Sequence, residues 1–171
     1  RGLWAHPRWD WERRYPVIRL SFAEGVMHSR AELDQRIGEI LADNEANLGV
    51  HSPHRSVAGR FLGLIRAAQA KYGERAVVLV DEYDKPILDN LTAPEIARAM
   101  RDGLRNLYSV IKGADPHLRF AFLTGVSKFS KVSLFSGLNN LNDISVDAKY
   151  SAVCGYTETD LNGVFAPELP G

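Results

Sequence analysis

The run Ala76-Val-Val-Leu-Val-Asp-Glu-Tyr-Asp-Lys-Pro86 constrains this chain more than any other stretch. Five apolar residues, three of them valine, make a short continuous run of the kind expected for a strand buried on both faces. The run stops abruptly at Asp81, Glu82 and Asp84. In open α/β sheets, ligands gather in the crevice beyond the carboxyl ends of the strands, so acids at that end are placed to hold a metal or a water. A second run, Leu118-Arg-Phe-Ala-Phe-Leu-Thr124, reads as a second buried strand, ends in a hydroxyl and is followed by Gly125. Between the two, Ile96, Met100, Leu104, Leu107, Tyr108 and Ile111 recur at helical spacing. Strand, helix, strand is one βαβ unit, which predicts two parallel strands and brings Asp81, Glu82 and Thr124 to the same edge of one sheet.

The length of 171 residues and the 45% hydrophobic content suit one globular domain, or most of one, with a sizeable core. Acids and bases balance at 21 each, so no net field favours nucleic acid, an anionic membrane or a polyanionic substrate. The single cysteine, Cys154, excludes an internal disulfide, and no apolar run approaches the roughly 18 residues of a membrane helix. With no signal-peptide pattern at the start, the expectation is a cytoplasmic protein. The chain begins at Arg1 and stops at Pro170-Gly171 after a loop, which reads as a piece of a longer polypeptide.

Ahead of the first acidic edge lie Trp4, Trp9 and Trp11 among several arginines, read as rings capping the core at the entry to a strand rather than as a base-stacking platform. Pro16 to Phe22 reads as that strand. Ser29-Arg-Ala-Glu32 predicts a capping box, followed by apolar positions Leu33, Ile37, Ile40, Leu41 and Leu48. The next helix carries Val57, Phe61, Leu64, Ile65, Ala68 and Tyr72 and stops at Gly73. Between these helices, His51 and His54 make at most half of a metal site. A loop leads from Asp84 to Thr92-Ala-Pro-Glu95, a second predicted capping box. Arg98, Arg101 and Arg105 line one face of the helix that follows, more readily a solvated basic face than a phosphate contact. Ser127 to Ser133 and Leu138 to Asp143 read as polar loops, Ile144 to Val146 as a short strand, and Thr157 to Asp160 as a last helix start.

Phosphoryl transfer is one chemistry that suits the acidic edge. It needs a phosphate cradle, a magnesium ion, and a group that orients or deprotonates the attacking water. Magnesium takes oxygen ligands and keeps several waters, a role open to Asp81 directly or through water. Glu82 would then serve as general base and Thr124 would sense the γ-phosphate. Acids after a strand also suit other α/β enzymes, or a solvated loop. A glycine-rich phosphate loop, Gly-x-x-x-x-Gly-Lys-Ser/Thr, is absent, and Gly125-Val-Ser-Lys128 imitates it without the spacing or the second glycine. A nuclease reading has only Asp147-Ala-Lys149 with Asp143 upstream. Cys154, Ser127 and Ser133 lack the context of a covalent nucleophile.

The blocks Val77-Val-Leu-Val-Asp-Glu-Tyr-Asp-Lys-Pro-Ile-Leu-Asp-Asn90, Arg101-Asp-Gly-Leu-Arg-Asn106, Phe122-Leu-Thr-Gly-Val-Ser-Lys-Phe-Ser130, Leu134-Phe-Ser-Gly-Leu-Asn-Asn-Leu-Asn-Asp-Ile144 and Cys154-Gly-Tyr-Thr-Glu158 resemble the AAA-ATPase-like family of bacterial proteins. The resemblance implies a P-loop NTPase fold, a three-layer α/β/α sandwich with a parallel sheet, and a domain often followed by a PD-(D/E)XK nuclease-like domain. It implies ATP and magnesium as cofactors. Asp81 and Glu82 match the Walker B acids, with Asp81 on the metal and Glu82 catalytic. Thr124 matches the sensor-1 position, and Lys128 lies in a Thr-Gly-Val-Ser-Lys motif on the nucleotide side.

Family members carry an arginine-rich phosphate loop before the region corresponding to Trp4 to Trp11, and this chain starts after it. The expectation is therefore a partial ATPase core over residues 1–156, lacking the Walker A strand and loop, and the start of a helical lid over 157–171. The intact protein is expected to bind and hydrolyse ATP. The alternative is a nucleotide-gated switch or scaffold that serves an attached effector domain without useful turnover. Contact with nucleic acid is expected only through such a domain.

Overall fold

Strands β1 (Val17–Ser21), β2 (Ala76–Asp81) and β3 (Leu118–Leu123) lie side by side in that order, and both pairings are parallel. In this computed structural model the described residues are 6–126, 134–135, 140–153 and 156–168. They fall into two compact units, Arg1–Asn139 and Asn140–Gly171. The first unit holds the sheet and three long helices, α1 (Arg30–Leu48), α2 (Val57–Tyr72) and α4 (Pro94–Gly113), with a four-residue helix α3 (Lys85–Leu88) after β2. The predicted βαβ unit is therefore present, and so are the expected first strand and the two helices between β1 and β2.

The long helices pack on one another and over one face of the sheet. That face is built from Ile18, Leu20, Val78 and Val80, which meet Leu33, Ile37, Leu41, Phe61, Leu64, Ile65, Met100, Leu104 and Leu107 in a continuous buried core. Each such aliphatic or aromatic side chain taken out of water contributes about 1.5–3 kcal/mol, so this one interface supplies most of the driving force of the unit.

The other face differs from the expectation. Val77 and Leu79 of β2 are half-buried, so β2 is buried on one face only. In β3, Leu118 is buried but Arg119 and Phe120 are exposed, with Phe120 at 54%. A helical layer on that side, required by a three-layer sandwich, is not present among the described residues. The reason β3 was expected to be buried is its composition, which reports apolar residues and not what covers them.

Local signals mostly hold, with instructive exceptions. Ser29 caps α1, its hydroxyl accepting the Glu32 N–H at 3.2 Å. The Glu32 carboxylate reaches back one residue further than a capping box requires and accepts the His28 N–H at 2.8 Å. Thr92 does not cap α4. Pro94 takes the first helical position, where its missing N–H costs nothing, and Ala93 becomes the cap with no side-chain bond. The stretch after Asp84 is not wholly loop, since α3 forms there. Trp9 and Trp11 do not cap the core. They are 56% and 57% exposed, and the Trp11 indole donates to the His6 carbonyl at 2.8 Å. Trp4 and the predicted loop from Ser127 to Ser133 lie outside the described residues.

The second unit is small. Asp147 caps a turn of 3-10 helix at Ala148–Tyr150, accepting the Lys149 N–H at 2.9 Å. Helix α5 (Glu158–Gly163) starts with a full capping box between Thr157 and Asp160, as expected for a helix start there. Tyr156 and Phe165 pack edge to face with ring centroids 4.6 Å apart. Ile144 to Val146 forms a turn rather than the expected strand.

Candidate functional site

The parallel register sets the ends of β2 and β3 level, with Val80 opposite Leu123. The ladder runs one residue further, since Thr124 N–H donates to the Val80 carbonyl at 2.8 Å and Phe22 N–H to the Asp81 carbonyl at 3.1 Å. The structure thus brings Asp81, Glu82 and Thr124 to one carboxyl edge, as the sequence predicts. The Thr124 hydroxyl donates to Asp81 Oδ1 at 2.8 Å. A hydroxyl has one hydrogen, and the Val80 carbonyl at 3.3 Å is the longer alternative acceptor, so Thr124 engages one oxygen of the exposed Asp81.

Glu82 lies just past the strand in the left-handed region, at φ +52, and is the sole non-glycine residue with positive φ among the described residues. For a residue with a Cβ that conformation costs roughly 1–2 kcal/mol, which the surroundings must offset. The next residue turns back into the sheet, with Tyr83 N–H donating to the Thr124 carbonyl at 3.0 Å. Asp84 is fully buried, and its Oδ1 accepts the Val126 N–H at 3.2 Å. The Tyr108 hydroxyl of α4 donates to the Tyr83 carbonyl at 3.1 Å. Burial, with Asp84 and Tyr83 nearby, pushes that phenol well above its ordinary value of 10.0, so it stays a donor. The sequence reading counts Asp84 among the acids of the strand end and Tyr108 in the apolar stripe of α4; the structure buries Tyr108 as expected, but buries Asp84 as well and gives it a backbone partner.

The rim of this edge is tied from below. Lys85 Nζ donates to the Gly25 carbonyl at 2.9 Å, and the buried Asn90 amide donates to Met27 O at 2.8 Å and Pro86 O at 2.9 Å. The loop after β1 is thereby fastened to α3. Lys128, expected on the nucleotide side, lies outside the described residues, as does Cys154.

Other sequence candidates have quieter roles. Arg98 holds Glu95 at 3.1 and 2.9 Å, and Arg101 holds Asp102 at 3.1 and 3.0 Å, both exposed pairs of small energetic consequence. His51 and His54 line an open cavity of about 470 Å³ with Ser52, Pro53, Arg55 and Arg60. Asp143 accepts the Ser145 N–H at 3.1 Å, and Asp147 accepts the Lys149 N–H at 2.9 Å as the cap of its 3-10 turn.

Among the described residues, no group of three or more His, Cys, Asp or Glu side chains is placed to cage a metal.

A family model described as a predicted AAA-ATPase, AAA-ATPase-like, matches residues 2–135. A protein of Azotobacter chroococcum mcd 1, described as an uncharacterized protein in the vnfD 5′ region, is 67% identical over 171 residues, covering 100% of this chain and 33% of its own length. The chain therefore spans about a third of that relative's length. No solved structure matches.

Proposed function

Because this chain belongs to the AAA-ATPase-like family of predicted AAA-ATPases, we propose that it forms the acidic half of an ATP-binding and ATP-hydrolysing domain. The observation that carries the reading is the 2.8 Å bond between Thr124 and Asp81, which joins the ends of two adjacent parallel strands into one polar edge. Asp81, with one oxygen held by Thr124, would keep the other for a magnesium ion, directly or through water. When bound, the ion neutralises charge on the phosphates. Glu82 would take the proton of the attacking water, a role its place beyond the strand end suits. Thr124 acts first as the residue that orients Asp81. Its single hydrogen reaches a γ-phosphate only by leaving that carboxylate.

The phosphate cradle and Lys128 complete the reading. The cradle would come from a longer polypeptide, for which the relative's threefold greater length leaves room, as it does for an effector domain of the nuclease-like kind. No helix of the described residues is long and apolar enough to cross a membrane, which is compatible with a cytoplasmic protein.

The test is Glu82→Gln in the complete protein. Loss of the base should lower ATP turnover by about 10²–10⁴-fold while ATP and magnesium still bind. Undiminished turnover would sink the assignment and leave the nucleotide-gated switch as the better account.

A further inference from the structure

Glu82 occupies a strained backbone conformation; its carbonyl accepts the Lys85 N–H at 3.1 Å, and the residues that follow it are fastened to the segment after β3. Asp84 is the centre of that support. It is completely buried, and its Oδ1 accepts the Val126 N–H at 3.2 Å, across the gap between the turn after β2 and the turn after β3. One residue earlier, Tyr83 N–H donates to the Thr124 carbonyl at 3.0 Å. Two successive residues after Glu82 are thus pinned to two residues after β3.

The close approach depends on Gly125. A Cβ there would lie 2.5 Å from Asp84 Oδ1 and 2.6 Å from the Tyr83 ring, closer than real contacts allow. Neither neighbour has room to give, because Asp84 and Tyr83 are both buried. From the other side, the Tyr108 hydroxyl holds the Tyr83 carbonyl at 3.1 Å, and the Tyr83 ring packs on Phe135 with centroids 5.1 Å apart.

We propose that Asp84 is a positioning residue, a buried carboxylate that latches the turn after β3 onto the end of β2 and so fixes where the Glu82 carboxylate points. The proposal rests on the reading of Glu82 as general base and extends it to the residue that aims the base. Asp84 touches neither nucleotide nor water in this scheme. Its effect passes through the backbone of Glu82 and Tyr83.

In the complete protein, Asp84→Ala should lower kcat at least about tenfold through misplacement of the base, with KM and ATP affinity changed less than about threefold. Asp84→Asn retains an Oδ1 acceptor of the same size and should recover most of that loss. If Asp84→Ala does not fold, Gly125→Ala takes its place, since it leaves Asp84 intact and only forces the two turns apart. Exchange of the Val126 amide, followed by mass spectrometry or NMR, should quicken in either variant. Wild-type kcat in a folded Asp84→Ala or Gly125→Ala protein overturns the proposal. So does an equal loss of kcat and ATP affinity, or an Asn variant no better than Ala, since either marks a purely structural role. The base assignment fails separately, by wild-type turnover in Glu82→Gln.

Discussion

The two outer edges of the sheet are finished in opposite ways. Along β1, a side chain replaces the missing neighbour. Asn44 of α1 accepts the Arg19 N–H at 2.9 Å and donates to the Arg19 carbonyl at 2.8 Å, pairing with the strand as another strand would, and its amide also reaches Ile40 O at 2.7 Å. Along β3, no side chain does this among the described residues. Phe120 is 54% exposed and stacks on Phe122 at 6.0 Å, leaving an apolar stripe at an open edge. Native sheets blunt or cover edges that are meant to stay free, and all-parallel sheets are ordinarily covered on both faces. The β1 edge is built as an end.

The sharpest way to break this contrast is to remove the clamp. Asn44→Ala strips both Arg19 backbone groups of their partner and should destabilise the chain by about 1–3 kcal/mol, at about 0.5–1.5 for each hydrogen bond, since Arg19 is exposed and water can replace part of the loss. Urea unfolding monitored by circular dichroism measures it. A loss below about 0.5 kcal/mol, the level of an ordinary surface change, would mean that the β1 edge is no better closed than the β3 edge.

The residue next in sequence sharpens the same side. Glu45 is buried and takes a two-point bond from Arg60, Nε to Oε1 at 3.0 Å and Nη2 to Oε2 at 2.8 Å. That bond, working against burial, holds the Glu45 carboxyl below its ordinary value of 4.5. A folded-state value below the unfolded one gives stability that is fully present above about pH 4.5 and is lost as pH falls through the lower, folded value. Glu45→Gln should cost about 1–2 kcal/mol near neutral pH. It should also flatten the acid limb of stability, measured as urea midpoints from about pH 6 down to pH 3. An equally steep acid loss in Glu45→Gln would place the responsible carboxylate elsewhere.

What could be read from the sequence depended on how local its cause was. The acidic edge was legible because a strand's run of valines and the acids that end it are contiguous, and because a helix between two such runs forces them parallel. Asn44 was not legible. It sits inside a helical pattern 25 residues from Arg19, and nothing local distinguishes it from a solvated polar position. Thr92 misled for a local reason, because Pro94 claimed the first helical position and moved the cap to Ala93. Asp84 was visible as a third acid, but its burial depends on Gly125, which arrives from the neighbouring strand. Phe120 and Phe122 gave a true strand and a wrong burial, since covering a face needs elements the run itself does not encode.

The β3 edge yields the smallest effect, and the smallness is the point. Phe61, buried in α2, would cost about 3–5 kcal/mol as alanine, because a cavity opens among Leu64, Ile65 and their neighbours. Phe120→Ser in the 171-residue chain should cost no more than about 0.5 kcal/mol, since a half-exposed ring already faces water. It should also reduce self-association, because an open apolar edge is a site for strand pairing between chains. Calorimetry and light scattering read the two quantities. A loss above about 2 kcal/mol in the isolated chain would mean that the ring is covered after all, and the contrast between the edges would collapse. The same substitution in the complete protein extends the test. If a further strand pairs with β3 there and a layer covers that face of the sheet, Phe120 becomes an interior residue, and its replacement should cost several times what it costs in the short chain.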